Sequence, residues 1–232
     1  MSLLSLRFRL FAVLSALTLT VSCGGAGGGT VAAKSVAVKL FASVGDDTRS
    51  LEKIFHRSPT NPLSQKEFSD ARGAFKQATS NGFEIFAGTS RPTTIAAQVL
   101  ETINQTASGL VVLVGHNENG SIYFRDGSGV AITSIQNPPG GFTAILSCSS
   151  LVGMQDALGI PTELSYTIAF DTGRRFQSAL RARGNLDGLT RQAAQDLLTS
   201  SFNSAKQARG TKLVVLGASG AGAVTVIAVV KS

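Results

Sequence analysis

Leu110-Val111-Val112-Leu113-Val114-Gly115-His116 and Phe142-Thr143-Ala144-Ile145-Leu146-Ser147-Cys148 are the two stretches on which the fold of this chain turns. Neither alternates apolar with polar side chains, so neither suits a strand with one wet face. Short unbroken runs rich in Val, Leu and Ile fit the centre of a sheet covered on both sides. Each run leads straight into a side chain able to do chemistry, a histidine in one and a cysteine in the other. If the strands are parallel neighbours, about 4.8 Å apart, His116 and Cys148 emerge together at the carboxyl edge, where ligands bind in open α/β folds.

Working outward, residues 35–42 alternate apolar with small or polar side chains and read as an opening strand. Residues 46–55 suit a short helix, Pro59 and Pro62 break the chain, and residues 63–79 suit a longer helix with Phe68 and Phe75 on one face. Residues 82–88 are strand-like between glycines. Ser90-Arg91-Pro92 combines a capping serine with a first-turn proline and predicts a helix start, and Ile95, Val99 and Ile103 give that helix an apolar stripe. Asp126-Gly127 between two apolar triplets predicts a hairpin over residues 121–132. After Gly159-Ile160-Pro161, the run Tyr166-Thr167-Ile168-Ala169-Phe170 continues the strand series, and residues 189–207 suit a helix with Leu197, Leu198 and Phe202 inward. Strands interleaved with helices predict an α/β domain with a mostly parallel central sheet flanked by helices.

Residues 213–230 are uncharged and mostly apolar, long enough for a membrane helix. Their valines and the central Gly217, Gly220 and Gly222 point instead to two strands, 213–216 and 224–230, joined by a turn of small residues. Those glycines also look like a nucleotide-binding loop. Too little chain follows Gly222 for the helix, strand and acidic residue that such a loop requires, so no cofactor is expected.

The amino end reads as an address. Arg7 and Arg9 precede an apolar stretch over residues 10–21, followed by Ser22-Cys23-Gly24-Gly25, the pattern of a secretory signal over residues 1–22. A cysteine at the expected cut resembles a bacterial lipobox, although Thr20 stands where leucine is usual. The resemblance implies cleavage before Cys23 and acylation of its thiol and amine, with the membrane as partner through that lipid. Glycine-rich residues 23–34 then form a tether, and residues 35–232 a single domain. The expected location is the cell envelope of a bacterium, and Gly24 after the cysteine favours the outer membrane of a Gram-negative host.

Composition narrows the function classes. The chain has 232 residues, 43% of them hydrophobic and 15% charged, which excludes general disorder. Lys+Arg 21 against Asp+Glu 14 leaves +7, but the basic residues are scattered and do not interleave with aromatics, so no nucleic-acid partner is expected. Two histidines and two cysteines offer no ligand-spaced metal cluster, and no Gly-x-Ser-x-Gly elbow occurs. His56, beside a proline-rich loop, reads as structural. With Cys23 lipidated, Cys148 is left as a single thiol in an exported protein, either buried and inert or reactive and used.

A hydrophobic strand ending in histidine, followed by a second ending in cysteine, resembles the caspase-like cysteine peptidases, the clan of caspases, metacaspases, gingipains and bacterial CHAT peptidases. The likeness covers residues 110–150 in detail, and 32 residues separate His116 from Cys148. It implies a caspase-like sandwich and a cysteine endopeptidase acting on peptide or protein, with Cys148 as nucleophile and His116 as base. Gly115, Asn117 and Ser149 would then flank the substrate backbone and the oxyanion, and Glu118 stands where it can orient the imidazole. The family has glycine after the histidine where this chain has Asn117, and Ser147 precedes the cysteine. A non-catalytic envelope lipoprotein that uses the same fold for binding or scaffolding therefore stays open beside the peptidase, as do oligomeric state and side-chain preference, for which Arg174, Arg175, Asp156 and Asp171 are the charged candidates.

Overall fold

A computed structural model describes residues 36–86, 93–147, 156–160, 162, 164–215 and 227–231, with backbone alone from residue 210 onward. These described residues gather into one compact unit. In chain order the elements are β1 (Val38–Ala42), α1 (Thr48–Ile54), α2 (Gln65–Ser80), α3 (Ile95–Gln105), β2 (Leu110–Val114), β3 (Asn117–Glu118), β4 (Ser121–Tyr123) and β5 (Gly129–Ala131). They continue with β6 (Phe142–Leu146), β7 (Leu158–Gly159), α4 (Tyr166–Arg183), α5 (Arg191–Gly210), β8 (Thr211–Val215) and β9 (Ile227–Lys231).

The central sheet is parallel, with strand order β1-β2-β6-β7. Val114 lies opposite both Ala42 and Leu146, so the first three strands end level. Of the strand expected over residues 82–88, the described residues 82–86 contribute a parallel bridge, Glu84 to Phe41, on the outer side of β1. There the Ala42 N–H donates to the Glu84 carbonyl at 3.0 Å and the Glu84 N–H to the Leu40 carbonyl at 2.8 Å. From β1 the chain thus steps first to one side and then, through β2, to the other. In open α/β sheets ligands bind at the carboxyl ends of the strands beside such a reversal.

Every residue of β2 and β6 is buried, as their lack of alternation predicts. Side chains still alternate between faces. Leu110, Val112, Val114, Ala144 and Leu146 join α2, α4 and α5 in one core, while Val111, Leu113 and Ile145 join α3 and the β4–β5 hairpin in the other. The result is a three-layer α/β/α sandwich. Gly173 on α4 shows how closely the layers meet: a Cβ there would come within 3.1 Å of Phe83 and 3.2 Å of Val112.

Local chemistry explains the helix starts. Ser64 and Glu67 close a reciprocal capping box on α2, and Ser165 caps α4. The start of α3 corrects the expectation from Ser90-Arg91-Pro92: the helix begins at Ile95 under Thr94, whose side chain accepts from the Ala97 N–H. Residues 87–92 lie outside the described residues. The Tyr166–Phe170 run is also corrected, for it is the first turn of α4 rather than a strand. Its buried positions continue through Gly173, Phe176 and Leu180 at helical spacing, a period that five residues are too few to reveal.

At the carboxyl end, β8 and β9 form their own antiparallel pair, with Leu213 opposite Val229. Residues 216–226, and with them the glycine-rich turn, lie outside the described residues. Among the described residues no helix is long and apolar enough to cross a membrane.

Among the described residues β7 is the last strand of the sheet, and a side chain pairs with its outer side. The Gly159 N–H donates to Gln195 Oε1 at 3.1 Å, and Gln195 Nε2 donates to the Gly159 carbonyl at 2.8 Å. A primary amide carried by α5 therefore takes the place of the next strand's peptide group, in a buried setting. Leucine at position 195 would fill the space but strand both groups of Gly159, each costing about 1–3 kcal/mol. Gln195→Leu should lower unfolding free energy by about 2–4 kcal/mol in urea titrations; a change below about 0.5 kcal/mol would show that the edge has another partner.

Candidate active site

His116 stands where β2 leaves the sheet, and its neighbours explain why the chain turns there. Gly115 is buried, and a Cβ on it would lie 2.7 Å from Ile122 and 3.3 Å from Ser43. Only glycine lets the β3–β4–β5 hairpin fold back onto the end of β2. Gly115 therefore has a packing duty, whereas the sequence suggested access for a substrate backbone. Beside it, the Ser43 N–H donates to the Val114 carbonyl at 2.8 Å, and the Ser43 hydroxyl to the Tyr123 carbonyl.

The imidazole of His116 is held on two sides. Nε2 lies 3.1 Å from Glu118 Oε2, and the Phe55 ring lies 4.6 Å away at a 30° tilt. A carboxylate only accepts, so in the neutral imidazole the pairing places the ring hydrogen on Nε2 and the lone pair on Nδ1. The histidine side chain keeps 26% of its surface exposed, enough for a reactant to reach it. Asn117, on β3 opposite Ile122, accepts the Gly120 N–H on Oδ1 at 3.0 Å and so supports the hairpin's first turn.

Phe55 reaches the site from the end of α1. That helix closes with the His56 N–H on the Lys53 carbonyl and the Arg57 N–H on the Glu52 carbonyl, and His56 takes a φ of 50°. Glycine would fit this left-handed position with less strain. Histidine occupies it with its ring 4.5 Å from Tyr123, next to the Phe55–His116 pair. One helix-ending turn thus presents two rings to the hairpin region, Phe55 to His116 and His56 to Tyr123.

Three more ties hold that hairpin. Arg125 approaches Asp46 and Asp47 at 4.0 and 3.9 Å, Asp126 Oδ2 accepts the Ile95 N–H at 2.8 Å, and Ser128 Oγ accepts the Ala96 N–H at 3.0 Å. The Asp126-Gly127 turn thus caps a helix thirty-one residues earlier in the chain.

A cleft of about 560 Å³ opens beside His116, lined by α2 from Glu67 to Gln77, by residues 164–167 and by Phe55. A much smaller crevice between Gly115, Leu146, Tyr166 and Ala169 adjoins the same ring. The Tyr166 hydroxyl stands 3.5 Å from the Ser43 carbonyl, across the ends of β1 and α4.

Of the residues singled out in the sequence, His116, Gly115, Asn117 and Glu118 are brought together here. Cys148, Ser149 and Cys23 lie outside the described residues. Ser147, just before Cys148, is buried beyond the end of β6, and its hydroxyl has no hydrogen-bond partner among the described residues. The charged candidates for side-chain preference do not line the cleft: Arg175 pairs with Asp171 at 3.2 Å, Arg174 donates to Asn81, and the Asp156 carbonyl accepts from Arg191. Phe55, Gly73 and Tyr166, which do, were not singled out, because they come from helices distant in the chain. No protein-family model matches the sequence, and no curated protein is significantly similar to it.

Burial works to raise the Asp126 carboxyl, but hydrogen bonds from the Ile95 amide and from the hydroxyl and amide of Ser128 outweigh it and hold the group below the ordinary 3.8. A carboxyl lowered on folding stabilises the fold above its unfolded pKa, and that contribution is lost as pH falls through the folded value. Asp126→Ala should therefore cost about 1 kcal/mol at pH 7, the usual worth of a helix cap. Below pH 3.8 the difference from the parent should shrink in acid-denaturation curves; a constant difference would exclude the charge as the source.

Proposed function

We propose that this protein is a bacterial cell-envelope lipoprotein whose domain is a caspase-like cysteine endopeptidase, with Cys148 as nucleophile, His116 as base and Glu118 as the group that orients the imidazole. One observation supports the reading: β2 and β6 are parallel neighbours in register, Val114 opposite Leu146, and in the sequence His116 follows Val114, and Cys148 follows Leu146, by two residues. The anchor rests on residues 1–23, with Cys23 taking the lipid and the outer membrane as destination in a Gram-negative host.

The chemistry follows from the imidazole's partners. With Nε2 turned to Glu118, Nδ1 is the nitrogen that takes the proton from the Cys148 thiol. The thiolate attacks the peptide carbonyl carbon, and the Ser149 amide stabilises the oxygen as it gains charge. The imidazolium returns its proton to the leaving amine. Water, deprotonated by the same nitrogen, then hydrolyses the thioester and restores the thiol.

A second reading has its own support. The Asn117 carboxamide oxygen is engaged with Gly120, and Gly115 is covered by Ile122, so two positions assigned to substrate and oxyanion already serve the fold. The corresponding protein is a non-catalytic envelope lipoprotein that binds or scaffolds.

Thiol chemistry separates the two. An ordinary cysteine with pKa near 8.5 is only about 3% ionised at pH 7. Iodoacetamide should alkylate Cys148 in the folded protein several-fold faster than a model thiol, and His116→Ala should remove the excess while leaving the thermal midpoint within a few degrees. Alkylation that waits for denaturant, or that ignores His116, would favour the binding protein.

The anchor has a separate test. An alkyne-tagged fatty acid fed to expressing cells should label the parent protein and leave Cys23→Ser unlabelled; equal labelling would place the lipid elsewhere.

A further inference from the structure

We infer that the β8–β9 ribbon is a membrane-docking element, which settles into the surface of an anionic lipid bilayer independently of any lipid on Cys23. Among the described residues, β8 and β9 pair only with each other and join no strand of the central sheet. Successive residues of a strand belong to opposite faces. Leu213, Val214 and Val215 on β8, and Ile227, Ala228, Val229 and Val230 on β9, are all apolar, so the sequence gives the ribbon two apolar faces. A two-stranded ribbon is marginal in water by itself, and a body packed against one face would leave the other bare.

The chain delivers the ribbon from a helix that has left the core. Among the described side chains of α5, Ala205 is the last that is buried, and the turn after it, Lys206 to Arg209, is exposed at every position. Strand β8 follows that turn directly.

Charge identifies what covers it. No acidic residue occurs between Asp196 and Ser232, and residues 213–230 carry no charge. Cations stand on either side of that stretch: Lys206 and Arg209 on the turn before β8, and Lys212 and Lys231 at the root of the ribbon. The register sets Lys231 opposite Thr211 and Lys212 opposite Val230, so both lysines belong to the two residue pairs nearest the helix. Apolar strands rooted in uncompensated cations match a bilayer, whose acyl chains take the strands while its phosphates meet the cations. A second copy is the poorer occupant, because it would add like charges and neutralise none. Backbone groups along the ribbon's outer edges need water or headgroups as partners, so the ribbon lies in the boundary layer and does not cross the hydrocarbon.

The test uses the full chain with Cys23→Ser and Cys148→Ala, so that neither the anchor nor the peptidase reading enters the result. A single new cysteine, Val229→Cys, carries an environment-sensitive nitrobenzoxadiazole dye. Vesicles are made of phosphatidylglycerol or of phosphatidylcholine, each with a spin-labelled lipid as quencher. With phosphatidylglycerol the emission should shift to the blue and be quenched, while the same dye on Ser80→Cys, at the exposed end of α2, should stay unchanged. The dye reports the depth of its own position, so attachment through residues 1–22 does not mimic this result. Lys212→Glu together with Lys231→Glu should cut the quenching at least threefold. If Val229→Cys does not fold, Leu213→Cys, its partner in the register, gives the same reading. An unquenched dye, equal quenching in the two lipids or at position 80, or full quenching in the double glutamate variant would overturn the inference. So would a blue shift that needs no vesicles and grows with protein concentration, which would make a second copy the occupant.

Discussion

Burial of two adjacent strands on both faces is the constraint from which the rest of this structure follows. With all of β2 and β6 out of water, their peptide groups must find partners within the sheet. Their side chains need cover above and below, which commits α2, α4 and α5 to one face and α3 with the hairpin to the other. The edges answer to the same requirement. Glu84 adds a bridge outside β1, and on β7 the amide of Gln195 pairs with Gly159 as the peptide group of a neighbouring strand would.

The site is where that constraint is released. A chain leaving a doubly buried strand must turn back into cover or into solvent, and Gly115 permits the sharp return of the hairpin across β1 and β2. His116 is the first side chain past the turn. Its ring stays partly accessible where it borders the cleft, and it is steady because Glu118 and Phe55 hold two of its sides. The left-handed backbone of His56 shows the cost of this arrangement: α1 ends in a strained residue whose ring is seated against Tyr123.

The cleft and the histidine belong to different parts of the chain, and their junction makes the site more than a strand end. Residues 164–167 bring the start of α4 against the same ring that β2 delivers, while α2 supplies the carboxylates and the small residues that leave room. The functional argument rests on the resemblance of the two strand ends to a family of peptidases, on the order of the strands and on the partners of one imidazole.

Local pattern determined much of this by itself. The unbroken apolar runs placed the two central strands, and Asp126-Gly127 placed the hairpin. Short runs were ambiguous where period could not be judged: Tyr166–Phe170 reads as a strand until its burial is followed to Leu180, and the start of α3 depended on whether Thr94 or an earlier serine found a free amide. Tertiary structure alone decided the rest. Which helices wall the cleft, that Asp126 caps α3, that Gln195 imitates a strand and that Phe55 lies on His116 are meetings of residues far apart in the chain. Sequence period reports which face of an element is buried, but not which element covers it, because that choice is made by the packing of the whole sandwich.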